Sequence, residues 1–135
     1  MSGRRTFNGL LQKGLLTVQK TDKGNFVLLT PLGEKAIHFL TKQQLKEVPR
    51  KWDGKWRVVI YDINERKKVL RNHLRSTLVS LGFVKLQDSV WVYPYDCEDL
   101  ITLIKADFQI GKEVLYLIVE HLENDKALKK TFKLT

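Results

Sequence analysis

Five basic residues, Arg66, Lys67, Lys68, Arg71 and Arg75, fall within ten positions, and a single carboxylate, Glu65, accompanies them. Lys67, Arg71 and Arg75 follow one another at i, i+4 and i+8, which on a helix sets them in one stripe, a turn apart. A stripe of one sign repels itself unless a polyanion or counterions offset it, so the chemistry on offer is the binding of phosphates. Just ahead of it Asp62 closes a run of β-branched and aromatic residues. Acidic residues in such strand-to-helix turns commonly accept backbone hydrogen bonds.

The elements that must position these groups are legible around them. Arg57 to Ile63 is strand-like, and Leu70, Leu74, Leu78 and Leu81 recur at helical spacing to give the next segment an apolar underside. Gly82 supplies a C-terminal stop. Strands are expected around Phe83 to Leu86 and Ser89 to Tyr93, with Pro94 ending the second. Asp96 can cap a further helix with Leu100, Ile101, Ile104 and Phe108 as its buried stripe and Gly111 as its stop. Glu113 to His121 is apolar almost throughout, the pattern of a central strand covered on both faces. A basic amphipathic tail, Asp125 to Leu134, follows. The order from Trp56 is therefore β-α-β-β-α-β, an α+β, ferredoxin-like arrangement in which two helices cover one face of a four-stranded sheet. The other face is expected to be bare, and a homodimer through that face or an edge strand follows from it.

Upstream, residues 7 to 16 look like the end of a helix closed by Gly14. Leu16 to Lys20 and Phe26 to Leu29 form a hairpin, and Thr30 caps a new helix with Pro31 at its first position. Helix, β-ribbon, helix resembles the last turn and wing of a winged-helix domain. Lys20 and Lys23 would sit at the wing tip, with Arg4 and Arg5 ahead of them to meet phosphates. A whole winged helix has two more helices upstream, so this one is partial. Residues 41 to 55 lose apolar periodicity, and the division is drawn as 1–48 partial winged helix, 49–55 linker, 56–122 ferredoxin-like domain and 123–135 tail. Trp52 and Trp56 flank the Asp53-Gly54 turn. They serve either to lock the linker onto the sheet or as a base-stacking platform.

The chain has 24 Lys and Arg against 15 Asp and Glu, a net charge of +9, which points to a nucleic acid partner, duplex DNA first and RNA second. Residues 1–51 carry 10 basic and 3 acidic groups, so the amino-terminal third is the more basic part. Cys97 is the only cysteine, which fits a reducing cytoplasm. The longest apolar run, Val114 to Val119, is too short to span a bilayer, and Met1 to Asn8 has no signal-peptide character. His38, His73 and His121 are scattered and Ser89 has no base nearby in sequence, which leaves zinc and serine chemistry unsupported. The glycines stand at caps and turns and form no phosphate-binding loop.

The string V-V-I-Y-D-I, then a basic helix, then L-G-F-x-x-L-Q-x-S-V-W resembles the Cas-two family, small CRISPR-associated ferredoxin-fold proteins that act beside the Cas-one integrase in spacer acquisition. It also resembles the middle domain of PaaX-type transcriptional repressors, to which Trp91, Val92, Tyr93, Pro94, Tyr95 and Asp96, reading W-x-x-P-Y-D, are nearer. Cas-two is placed first, because an incomplete reading head would cripple operator recognition, whereas a Cas-two dimer holds DNA through backbone charge. The resemblance implies a homodimer. It also makes Asp62 the candidate catalytic residue and metal ligand, for Mg²⁺ or Mn²⁺ shared between two symmetry-related carboxylates in an endonuclease.

Overall fold

The Thr30 hydroxyl accepts the Gly33 N–H at 3.0 Å and donates to the Gly14 carbonyl at 2.7 Å, so one side chain caps a helix and ties it to the turn before the ribbon. The structure is a computed structural model that describes residues 2–46 and 50–134. Helix α1 (Ser2–Gln12) leads through Gly14, at φ 74°, into a ribbon of β1 (Leu16–Thr21) and β2 (Gly24–Leu29), and α2 (Pro31–Leu45) follows. Thr21 pairs with Gly24 across a two-residue turn of Asp22 and Lys23, and Gly24, just past the turn, takes a positive φ, 123°, that only glycine adopts freely. Gly33 has a second reason to be glycine. A Cβ there would run into the Leu15 carbonyl oxygen and the Leu29 side chain, so α2 can lie this close to the ribbon only without one.

The loop expected from residue 41 begins later. Helix α2 continues to Leu45, and Gln44 donates to the Leu81 carbonyl at 2.7 Å, a tertiary anchor that the fading periodicity did not reveal. The boundary drawn at 48 and 49 falls on residues outside the described set. Beyond it, Arg50 donates to the Gln43 and Gln44 carbonyls at the end of α2 and lies 4.8 Å over the Tyr95 ring.

The central unit runs β3 (Trp56–Tyr61), a 3₁₀ turn (Glu65–Lys67), α3 (Lys68–Ser80), β4 (Val84–Gln87), β5 (Val90–Tyr93), α4 (Glu98–Asp107), β6 (Val114–Val119) and α5 (Lys126–Thr131). This is the expected β-α-β-β-α-β order, and the sheet is antiparallel throughout in the order β4-β5-β3-β6. Leu74, Leu78 and Leu81 of α3 and its cap, with Leu100, Ile101 and Ile104 of α4, bury against Val59, Tyr61, Trp91 and Tyr93 of the sheet. Each such side chain, taken fully out of water, contributes about 1.5–3 kcal/mol.

Four details differ from the sequence reading. Strand β6 is an edge strand, and only Val114 of it is buried, where a central strand would be covered along its length. The second sheet face is not bare: α5 brings Leu128 into a cluster with Trp56, Val58 and Val92, and Asp125 accepts the Trp56 indole N–H at 3.0 Å. The short tail thus acts as a lid on part of that face. Arg66 and Lys67, read as part of the helical basic stripe, lie instead in the 3₁₀ turn, and α3 begins at Lys68. Finally, α4 ends at Asp107 with Gln109 in the left-handed region at φ 55°, two residues before Gly111.

Candidate nucleic-acid interface

Burial of Leu74, Leu78 and Leu81 fixes the rotation of α3, which sets Arg71 and Arg75 along one flank of the buried stripe and leaves Val69 and Val79 exposed on the far side. Arg66, Lys67, Lys68 and Arg75 are exposed and Arg71 is half-buried. Asn64 starts this segment by accepting the Arg66 N–H at 2.9 Å, and Arg75 donates to Asn72 at 3.0 Å. Among the described residues none of the five basic groups forms an ion pair, so their charge is available to a polyanion.

A second basic group stands elsewhere. Helices α1 and α2 and strand β2 pack on α4, with Leu10 and Leu16 meeting Leu103 and Ala106. Gln109 stitches the ribbon down by donating to the Val27 carbonyl at 2.9 Å. Arg5, Lys20 and Lys23 are exposed on this unit, while the side chain of Arg4 lies outside the described set. The sequence reading had these residues on the helix-ribbon unit and the other five on the helix after Asp62, and the two groups stand on different elements of the fold.

The structure also brings out two residues that the sequence reading passed over. Phe7, Leu10 and Leu11 turn one side of α1 inward, which leaves Arg5, Asn8 and Gln12, at i, i+3 and i+7, exposed in one row. Arg, Asn and Gln are the side chains whose paired polar atoms match guanine and adenine edges in the major groove. The signal was present in the spacing once the buried side of α1 was known.

Asp62 is exposed, and its own N–H is spent on the Glu113 carbonyl at 2.8 Å. The acceptor role in the turn belongs to Asn64. Asp62, Asn64, Lys67 and Glu113 line a pocket of about 270 Å³. A lysine in the same small space opposes a divalent cation, and among the described residues no three His, Cys, Asp or Glu side chains converge to hold one. Within one chain these residues do not fit a magnesium or manganese ion.

The two tryptophans pack. Trp56 is fully buried, and Trp52 leans on it at a centroid distance of 4.9 Å while donating to the Lys55 carbonyl. Cys97 is buried, and that burial pushes its thiol up to about 12, far from a nucleophile's range.

Compared with known families, residues 49–130 match the model described as the PaaX protein central Cas2-like domain, which is more than half of the chain. The chain belongs to this PaaX family. The match covers the linker, the whole β-α-β-β-α-β unit and most of α5, and it leaves the helix-ribbon-helix unit outside. Of the two resemblances read from the sequence, the finding supports the PaaX branch, placed second there, and gives no support to Cas-two membership proper or to a CRISPR role. No curated protein matches the chain. Among the described residues of this PaaX-family chain, no helix is long and apolar enough to cross a membrane.

Proposed function

We propose that the chain is a homodimeric, DNA-binding transcription regulator of the PaaX type. The observation that carries this reading is the family match across residues 49–130. It is supported by the unit ahead of the match, where α1 exposes Arg5, Asn8 and Gln12 beside a ribbon whose turn carries Lys23. In this reading α1 meets base edges, Lys20 and Lys23 meet flanking phosphates, and Arg66 and Lys67 of the 3₁₀ turn with Lys68, Arg71 and Arg75 of α3 add a sequence-independent grip on the duplex.

No observation on this chain favours CRISPR adaptation, a Cas-one partner or a magnesium-dependent nuclease over this reading. The test is enrichment from a pool of random-sequence duplexes by the purified protein. A regulator enriches a shared motif, with two half-sites if it binds as a dimer. Retention of the pool without any common motif would leave only a non-specific DNA-binding protein and would overturn the regulator.

A further inference from the structure

We infer that two copies of this chain join edge to edge through β6, antiparallel, with the two-fold axis at Leu117. The inference rests on the homodimer proposed above and assigns its contact surface.

The register of β3 against β6, with the Asp62 N–H on the Glu113 carbonyl, decides which way each backbone group on β6 points. Glu113, Leu115, Leu117 and Val119 direct theirs to β3, so Val114, Tyr116 and Ile118 direct theirs to the free edge. Val114 is already satisfied. Its N–H bonds the Gly111 carbonyl at 3.1 Å, and its carbonyl accepts the Lys105 ammonium at 2.8 Å. Among the described residues, the N–H and C=O of Tyr116 and Ile118 find no partner.

Those four groups select one symmetric register. Pairing each chain's Tyr116 with the partner's Ile118 satisfies all of them on both strands, and Val114 then stands only against the partner's Glu120, a position past the end of the strand. A two-fold axis at Tyr116 would instead oppose Ile118 to the partner's Val114, whose groups are taken. An axis at Leu117 sets Leu117 against the partner's Leu117 and Leu115 against the partner's Val119. The side chains agree with the backbone. Leu115, Leu117 and Ile118 are 54%, 37% and 44% exposed, and the strand has no charge or proline to blunt its edge. Just beyond the strand the same register brings Glu113 opposite the partner's His121, an attractive pair when the imidazole is protonated.

The test uses the full chain. Leu117 meets itself across a non-hydrogen-bonded pair, where Cα atoms stand about 4.5 Å apart, within disulfide reach. Leu117→Cys should therefore give a covalent dimer under mild oxidation and Leu115→Cys should not, while buried Cys97 stays silent. Leu117→Lys and Leu117→Asp should each sediment as monomers, and an equimolar mixture should restore a dimer that is wholly heterodimeric. A wild-type dimer that survives Leu117→Lys, or cross-linking at Leu115 equal to that at Leu117, would overturn the β6 edge while leaving the regulator intact. A monomeric wild-type chain would overturn both this contact and the homodimer, whereas failure to enrich a DNA motif strikes only the regulator.

Discussion

Arg57 holds Asp53 through two parallel bonds, Nη1 to Oδ1 at 2.8 Å and Nη2 to Oδ2 at 2.7 Å. The guanidinium lies buried on β3 and also donates to the Lys55 and Pro94 carbonyls, each at 3.0 Å, so it fastens the Asp53-Gly54 turn to the sheet. The same bonds hold the Asp53 carboxyl down at about 2, and the stability this gives is present above the ordinary carboxylate value of 3.8 and lost as pH falls toward 2.

Replacing Asp53 by Asn should therefore cost stability at neutral pH. Removing one partner from a fully buried pair is severe, but Asp53 is about half exposed, so the expected loss is about 1–2 kcal/mol. Thermal unfolding at several pH values checks it: the difference between wild type and variant should shrink as the pH falls from 3.8 toward 2. A constant difference would assign the loss to packing.

Gly33 and Gly9 make a contrasting pair. Gly33→Ala drives a methyl group into the Leu15 carbonyl and should cost about 1–3 kcal/mol, loosening α2 from the ribbon. Gly9 lies inside α1 with open space where a Cβ would stand, so Gly9→Ala should gain about 0.5–1 kcal/mol. Denaturant melts of the two variants should move in opposite directions.

Asp62 bears on the metal. In the β6 pairing the two copies of Glu113, and with them the neighbouring Asp62 residues, stand about eight residues or roughly 26 Å apart, too far to share an ion. Millimolar Mn²⁺ should leave the melting temperature of wild type and Asp62→Asn alike unchanged. A rise in the wild type that Asp62→Asn abolishes would mean that the two carboxylates meet.

The elements were legible because their signals are local. Thr30-Pro31 at a helix start, the leucine spacing of α3 and Gly82 at φ 93° each act within a turn or two of chain. What was missed depends on distant partners. The apolar run Val114 to Val119 reads alike for a central strand and for an edge strand, since only the neighbours differ. The tail was illegible as a cover because Leu128 gains its meaning from Trp56 and Val92. For the candidate interface, the five-residue basic cluster was plain in the sequence. Asn8 and Gln12 emerged only when Leu10 showed which side of α1 is buried.

The division of labour on DNA is tested most directly by affinity against salt concentration for the wild type, Arg71→Ala/Arg75→Ala and Asn8→Ala/Gln12→Ala, each on an enriched duplex and on an unrelated one. Loss of α3 phosphate contacts should weaken binding to both duplexes equally and lower the slope of log affinity against log salt by about 0.9 per contact. Loss of α1 base contacts should leave that slope nearly unchanged and cost about 1–3 kcal/mol per position on the enriched duplex alone. Unchanged slopes for the α3 variant together with unchanged preference for the α1 variant would contradict the account.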